Sequence, residues 1–152
     1  MHLRRLLVAV DQGPIAAHAA LAGLELARSL NAEAALVHAV EPSLGLSATD
    51  AGLVGHDIIR QNLEDGQRVM SDFCASSKFA GPHFIPEGPP DREIIEVARR
   101  WHADLIVIGS HGRRGFQAAL LGSVAEAVVR QAPCSVLVIK AEAASVIGTN
   151  SR

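Results

Sequence analysis

The sequence predicts an α/β protein with a single doubly wound, open parallel sheet and helices on both faces. Five short apolar runs occur along its 152 residues, and most are apolar almost throughout, as in strands that are covered on both faces. Four segments with helical periodicity separate these runs, which is the order expected of βαβ units. The chain contains no internal repeat and no low-complexity tract.

The first predicted strand covers residues 3–10. Pro14 then opens a helix, because its ring fixes a backbone angle that suits the first helical position. We expect this helix to end at Asn31 and the second strand to cover residues 34–40. The apolar stripe of the helix consists of Ala17, Ala20, Leu21, Leu24 and Ala27.

Residues 41–57 lack periodicity and contain one proline and three glycines. This stretch is long for a connection, so we interpret it as either a lid or a disordered excursion. A second helix follows and should end at Gly81-Pro82. Its apolar positions are Ile59, Leu63, Met70 and Phe73.

The second half of the chain repeats the alternation. Residues 83–86 form a short third strand, and residues 89–91 (Pro-Pro-Asp) begin the third helix. Residues 105–108 form a fourth buried strand, residues 124–131 a fourth helix, and residues 136–139 the fifth strand. The stripe of the third helix consists of Ile94, Val97, Ala98 and Trp101.

Composition limits the domain count and the class of partner. We expect one domain over residues 1–141 and a flexible tail over 142–152. The net charge is −2 and aromatic residues make up 3%, which argues against nucleic acid and membrane surfaces as partners. No apolar run approaches membrane-spanning or signal-peptide length, so we expect a cytoplasmic location. Cys74 and Cys134 fit no zinc spacing; one disulfide is arithmetically allowed, but two reduced thiols are predicted.

Ligands of doubly wound sheets bind at the carboxyl ends of strands where the winding reverses. Asp11 follows the first strand and Gly109 ends the fourth. If these strands are neighbours, both residues line one crevice. We interpret Asp11 as a contact to a ribose or to a metal; a general base and a plain helix cap are the alternatives.

The segment from Gly109 to Ser123 fits neither of two familiar phosphate loops. It lacks the position and spacing of a Rossmann fingerprint and the lysine of a Walker A loop. Glycines nevertheless allow positive φ and close approach of N–H groups to an anion, and Ser123 begins a helix, where phosphate is favoured. Arg113 adds positive charge. The competing interpretation is a capping box from Ser123 to Glu126, whose carboxylate would partly repel a phosphate.

The segment also resembles a known family. Gly109-x-x-Gly112, nine residues and then Gly122-Ser123 is similar to the G-2x-G-9x-G-[S/T] signature of the ATP-binding subgroup of universal stress proteins. The resemblance extends over nearly the whole chain. Further matching features are the strand that ends in Asp11, the Val37-His38 strand end, and residues 103–109 and 132–139.

The resemblance implies the strand order 3-2-1-4-5 and an ATP ligand. It implies that Asp11 contacts the ribose or a phosphate-bound Mg²⁺, that Ala39 lies against the adenine, and that Ile108 and Gly109 face the nucleoside through their backbone. The residues implied at the phosphates are Gly112, Arg113, Gly122, Ser123 and Val124. Two positions depart from the family pattern: Gly13 replaces a frequent serine, and Ala39 a common valine.

We therefore expect an ATP-binding stress-response regulator with an unidentified protein partner. ATP hydrolysis should be slow at most, because no residue is arranged to position a water, and no catalytic residue is assigned. The alternative is a nucleotide-independent interaction module of the same fold. Enzymes that transfer adenylyl groups or electrons share the fold, but no H-x-G-H motif occurs. Because residues 135–140 would form an apolar sheet edge, and the family also implies it, we expect a homodimer through them.

Overall fold

The computed structural model describes residues 2–41, 51–110 and 121–140. The side chains of residues 14, 15 and 51–59 are outside this description. The assignments made for Gly112, Arg113 and the tail at 142–152 likewise concern residues outside the described ranges.

Strands and helices alternate along the described chain. The elements are β1 (Arg5–Ala9), α1 (Pro14–Ser29), β2 (Glu33–Val37), α2 (Ala51–Ser77), β3 (His83–Phe84), α3 (Pro90–Trp101), β4 (Leu105–Gly109), α4 (Ser123–Gln131) and β5 (Ser135–Ile139). All pairings are parallel, and the strand order is β3-β2-β1-β4-β5. The predicted fold class and strand order are confirmed.

Alternate side chains of the central strands enter two cores, one on each face of the sheet. Leu6 and Val8 of β1 pack with residues of α1 and α2, including Leu24 and Met70. Leu7, between them, faces the opposite side, where buried residues of α3 and α4 form the second core. Both faces of the central strands are thus covered, which explains why their sequences are continuously apolar.

The boundaries of α2 differ from the prediction at both ends. The helix begins at Ala51, so the predicted non-helical stretch to residue 57 was too long. Its two early glycines cost only about 1 kcal/mol each in a helix, and no proline interrupts it. The helix ends at Ser77, before Gly81-Pro82, because Lys78 adopts a left-handed φ of 55° and the Phe79 N–H donates to the Cys74 carbonyl.

β1 and β2 are shorter than expected, whereas β4 extends one residue further, to Gly109. β2 ends at Val37, and Val40 forms only an isolated bridge to Glu87.

In α1, Leu21 is 44% exposed although it was placed on the buried stripe. Leu21 precedes the buried Ala27 by six residues, which places it about 120° around the helix.

Among the described residues, no helix is both long enough and apolar enough to cross a membrane.

Candidate functional site at the carboxyl end of the sheet

The two strand ends that carry the predicted site are adjacent. β1 and β4 pair directly, with Val8 opposite Val107. Asp11, which follows β1, and Gly109, which ends β4, therefore lie at the same edge of the sheet. The winding reverses between these strands, since β1 is followed in space by β2 on one side and by β4 on the other. This is the switch point at which doubly wound sheets bind ligands.

A backbone hydrogen bond fixes the start of α4 at this edge. The Gly122 N–H donates to the Ser110 carbonyl at 2.7 Å, and the Ser110 N–H donates to the Ile139 carbonyl at 2.8 Å. Ser110, directly after β4, is buried. These bonds hold the amino terminus of α4 beside the carboxyl ends of β4 and β5. Gly122 therefore lies beside the end of β4, and Ser123 and Val124 follow it in the first turn of α4.

The competing interpretation, a capping box from Ser123 to Glu126, is wrong. Gly122 is the N-cap residue of α4, because its carbonyl accepts the first helical bond, from the Glu126 N–H at 2.9 Å. Ser123 is thus the first helical residue, and its exposed side chain makes no cap hydrogen bond. The Glu126 carboxylate instead lies 2.8 Å from the Arg130 guanidinium. This ion pair directs the negative charge of Glu126 toward the next turn of the helix and away from the helix start.

The start of α4 has the geometry of an anion site. The N–H groups of Ser123, Val124 and Ala125 precede the first intrahelical bond, so they have no acceptor within the helix. They add to the positive end of the helix dipole. The Gly122 φ is −61°, an extended backbone that any residue can adopt. Gly122 therefore offers close approach of an anion rather than the positive φ expected of the glycine segment.

The N-cap residue of α1 is Gly13, two residues after Asp11. The Asp11 Oδ1 accepts a hydrogen bond from the neighbouring Gln12 N–H at 2.7 Å. Gly13 has φ 102° and ψ 161°, a conformation that is essentially restricted to glycine. The chain's departure from the family's serine at this position therefore matches a backbone that serine would adopt only with strain.

Ala39 and Ile108 occupy different surroundings. Ala39 is half-buried and follows β2, between the buried His38 and Val40. Ile108 is 7% exposed, and its side chain belongs to the core beneath α3 and α4. The Ile108 side chain is therefore directed into the core, which leaves its backbone for any contact at the carboxyl end of β4.

His38 and Ser110 are the two buried polar residues in the described ranges, and the sequence analysis assigned neither to the site. The His38 Nδ1 lies 2.8 Å from the Val10 carbonyl oxygen. A histidine at the end of an apolar strand was the available signal, since a buried polar group requires a hydrogen-bond partner.

The described cysteines are free, as predicted. Burial raises the pKa of both Cys74 and Cys134, and the nearby charge of Asp104 raises that of Cys134 further. Raised thiol pKa values are the opposite of what nucleophilic or metal-binding cysteines need. No group of three or more metal-ligating side chains occurs in the part of the chain that the structure describes.

Fold and site together define a doubly wound α/β protein with a candidate ligand crevice at its switch point. The universal stress protein family matches residues 2–140, and the chain belongs to that family. Universal stress protein A homolog 2 of Coxiella burnetii is 36% identical over 117 residues, which cover 76% of this chain and 80% of that protein.

Solved structures agree on the fold. The universal stress protein UspA from Lactobacillus plantarum superposes with a TM-score of 0.80 at 23% identity, covering 91% of this chain and 99% of that one. A universal stress protein solved in complex with cAMP superposes with a TM-score of 0.61 at 22% identity, covering 92% of this chain and 98% of that one.

Proposed function

We propose that this protein binds ATP in the crevice between β1 and β4 and acts as a nucleotide-dependent regulator of a stress response. The observation that carries the proposal is the bond from the Gly122 N–H to the Ser110 carbonyl. It places the positive end of α4 at the sheet's switch point, on the same edge as Asp11. The cAMP complex of a structural relative supports an adenine nucleotide as the class of ligand.

Each end of the nucleotide has a matching region of the crevice. The N–H groups at Ser123 and Val124 suit the phosphates, whose charge the helix dipole favours. Asp11 suits a ribose hydroxyl, because an ionised carboxylate only accepts hydrogen bonds. Ala39 offers a small apolar surface to the base. Gly109 and Ile108 contribute backbone groups, and Gly112 and Arg113 are assigned to the phosphates by the family signature.

Mg²⁺ fits this arrangement only through the phosphates. It prefers octahedral oxygen ligands and keeps several waters, and it is commonly bound by one or two carboxylates together with substrate phosphates. Asp11 provides a carboxylate at the carboxyl end of β1. Binding a nucleotide-bound Mg²⁺ is therefore the alternative to the ribose contact that we propose for Asp11.

The binding experiment is calorimetric titration of ATP with Mg²⁺ into the wild type and two variants. Gly122→Val should weaken binding about 100-fold or more, because a branched side chain would stand where the phosphates approach the N–H groups. Val129→Thr, on an exposed position of the same helix, is the matched control and should bind as the wild type does. The proposal would be refuted if the wild type gave no heat of binding at millimolar ATP and carried no nucleotide through purification. That result would favour the nucleotide-independent interaction module.

Occupancy rather than turnover is proposed as the signal. Efficient hydrolysis needs a residue that orients the attacking water, and we assign none in this chain. The regulatory partner would then recognise the conformation of the nucleotide-bound protein at the crevice. We place this function in the cytoplasm, where ATP is abundant.

We also propose a homodimer through β5. β5 lies at the edge of the sheet, and no described strand pairs with its outer side. Leu137 on β5 is 38% exposed. The opposite edge strand, β3, has two residues and lies between Pro82 and Pro86, so it is protected from further pairing. An apolar, unpaired edge favours addition of a second chain.

Sedimentation measures this association. Leu137→Lys should convert a dimer to a monomer at micromolar concentration, because a charge on the edge strand opposes edge-to-edge pairing. Leu21→Lys, at a similarly exposed position on α1, should leave the dimer intact. A wild type that sediments as a monomer overturns the dimer without affecting the nucleotide site.

A further inference from the structure

A buried histidine lies between the two strand ends that would hold the nucleoside. His38 follows β2 and is 3% exposed. Its Nδ1 is 2.8 Å from the Val10 carbonyl oxygen. Because a carbonyl can only accept, Nδ1 is the donor and carries a proton.

This hydrogen bond occurs where the β1–β2 ladder stops. The last strand pair is Ala9 with Val37, and the Val10 N–H still donates to the Val37 carbonyl at 2.8 Å. At the next position the His38 side chain, rather than a backbone N–H of a strand, donates to the Val10 carbonyl. That carbonyl belongs to the same planar peptide group as the Asp11 N–H. The hydrogen bond to the imidazole therefore fixes the orientation of the peptide group between Val10 and Asp11.

The other side of the imidazole packs against the backbone of α2. A Cβ at Gly66 would overlap Val40 Cγ2 and would lie 3.4 Å from His38 Cδ2 and 3.6 Å from its Nε2. The absence of a side chain at Gly66 therefore makes room for Val40, and the His38 ring lies at ordinary van der Waals distance from the same position. The ring is thus held between α2 and the end of β1. Ala39 is the next residue in the chain.

We propose that His38 is the positioning residue for the nucleoside half of the crevice, an inference that rests on the proposed nucleotide site. It connects Asp11, assigned to the ribose, with Ala39, assigned to the base. The phosphate half depends on different bonds, those between the end of β4 and the start of α4. The two halves should therefore respond separately to substitution.

Two substitutions at position 38 separate the hydrogen bond from the volume of the side chain. His38→Leu removes the donor but fills the site, whereas His38→Asn carries an amide nitrogen close to the place of Nδ1. We expect His38→Leu to weaken adenosine, AMP and ATP by one common factor of about five- to tenfold, the effect of one hydrogen bond. His38→Asn should recover affinity to within about twofold of the wild type. His83→Leu, at an exposed histidine on β3, is the control and should change nothing.

Three results would overturn the positioning role: wild-type affinity in His38→Leu, no recovery in His38→Asn, or a loss confined to ATP. Nitrogen-15 NMR of the wild type gives a second measurement that does not depend on any variant folding. It should show the His38 proton on Nδ1 and a shift of that resonance on addition of adenosine. A proton on Nε2, or a resonance that adenosine leaves unmoved, contradicts the proposal. A wild type that binds neither adenosine nor ATP would instead refute the nucleotide site itself.

Discussion

The two ends of the sheet are built in different ways. At the amino end, side chains hold the strands together. The Asp104 carboxylate accepts the backbone N–H groups of Arg4 and Arg5 at 2.8 and 2.9 Å. The Arg5 guanidinium contacts Glu33 at 3.3 Å, donates to the Trp101 carbonyl at 3.2 Å, and lies 5.7 Å from the centre of the Trp101 ring. Polar groups at this end are largely occupied by one another.

At the carboxyl end, backbone bonds do most of the positioning. The Gly122–Ser110 bond places α4, and its first N–H groups point out of the helix. The side chains that we propose to face the ligand are small or acidic: Ala39, Ser123 and Asp11. His38 is the buried side chain that adds to the positioning. Side-chain bonds thus join the strands at the amino end, whereas at the carboxyl end the first N–H groups of α4 have no acceptor within the helix. The proposed ligand site uses this second arrangement.

Positive φ angles follow the same division. The amino end, where helices turn into strands, places Asn31, Lys78 and His102 at φ 53–56°. The carboxyl end has Gly13 at 102° and Gly88 at 154°. Residues with side chains reach the first region at a moderate cost, but the second is essentially restricted to glycine. The β1–α1 and β3–α3 loops therefore depend on glycine, whereas the carboxyl ends of α1, α2 and α3 do not.

The largest effect is expected from breaking the carboxyl-end backbone at Gly13. A Cβ at Gly13 would meet nothing within 4 Å, so Gly13→Ala tests the backbone alone. We expect it to lower the free energy of unfolding by about 2–3 kcal/mol, the cost of a strained φ and ψ. Urea denaturation measures the loss, and Gln12→Ala is the neighbouring control. A loss below about 0.5 kcal/mol would show that residue 13 does not require this conformation.

An intermediate effect is expected at the amino end. Asp104→Ala deprives two backbone N–H groups of their acceptor and should lower the free energy of unfolding by about 1–2 kcal/mol. ATP affinity should not change, since Asp104 lies at the opposite edge of the sheet from the crevice. Denaturation measures the loss of stability, and calorimetry on the same preparation measures the ATP affinity. Weaker ATP binding in a folded Asp104→Ala protein would show that the two ends are coupled.

The contribution of Asp104 should also depend on pH. The backbone N–H groups of Arg4 and then Arg5 hold the pKa of Asp104 below its ordinary value of 3.8. The unfolded chain therefore takes up the proton first as pH falls. The stabilisation is complete above pH 3.8 and is lost as pH drops toward the lower folded pKa. The stability difference between wild type and Asp104→Asn should shrink below about pH 4; a difference that stays constant to pH 2 would mean that the charge is not its source.

Much of the fold was predictable because buried parallel strands carry a continuous local signal. Leu6, Leu7 and Val8 are all fully buried, so no polar residue interrupts β1. Alternation of strands and helices predicted the doubly wound class, while the strand order required the family resemblance. The start of α2 was missed because Gly52 and Gly55 are weak helix formers, and a local pattern does not show what stabilises them.

The site was harder to predict because its key contacts join distant residues. The sequence Ser123-Val-Ala-Glu126 has the pattern of a capping box, yet Gly122 is the N-cap because its carbonyl accepts the first helical bond. A separate bond, from the Gly122 N–H to the Ser110 carbonyl, holds the helix start. His38 gave only a weak signal, since its partner Val10 is 28 positions away and binds through its backbone. Strand ends can thus be located from periodicity, whereas the groups that orient them depend on register.

The smallest effect should sharpen the contrast between the two classes of positive φ. Lys78→Gly should raise the free energy of unfolding by about 0.5–1 kcal/mol, because the relief of a left-handed lysine exceeds the extra freedom that glycine has when unfolded. Asn31→Gly should change it little, since asparagine tolerates this region well. Thermal unfolding would show a rise of about 2–4 °C for Lys78→Gly if its gain reaches 1 kcal/mol. Equal gains at both positions would mean that side-chain type does not matter at these helix ends, and the contrast with Gly13 would then rest on the φ value alone.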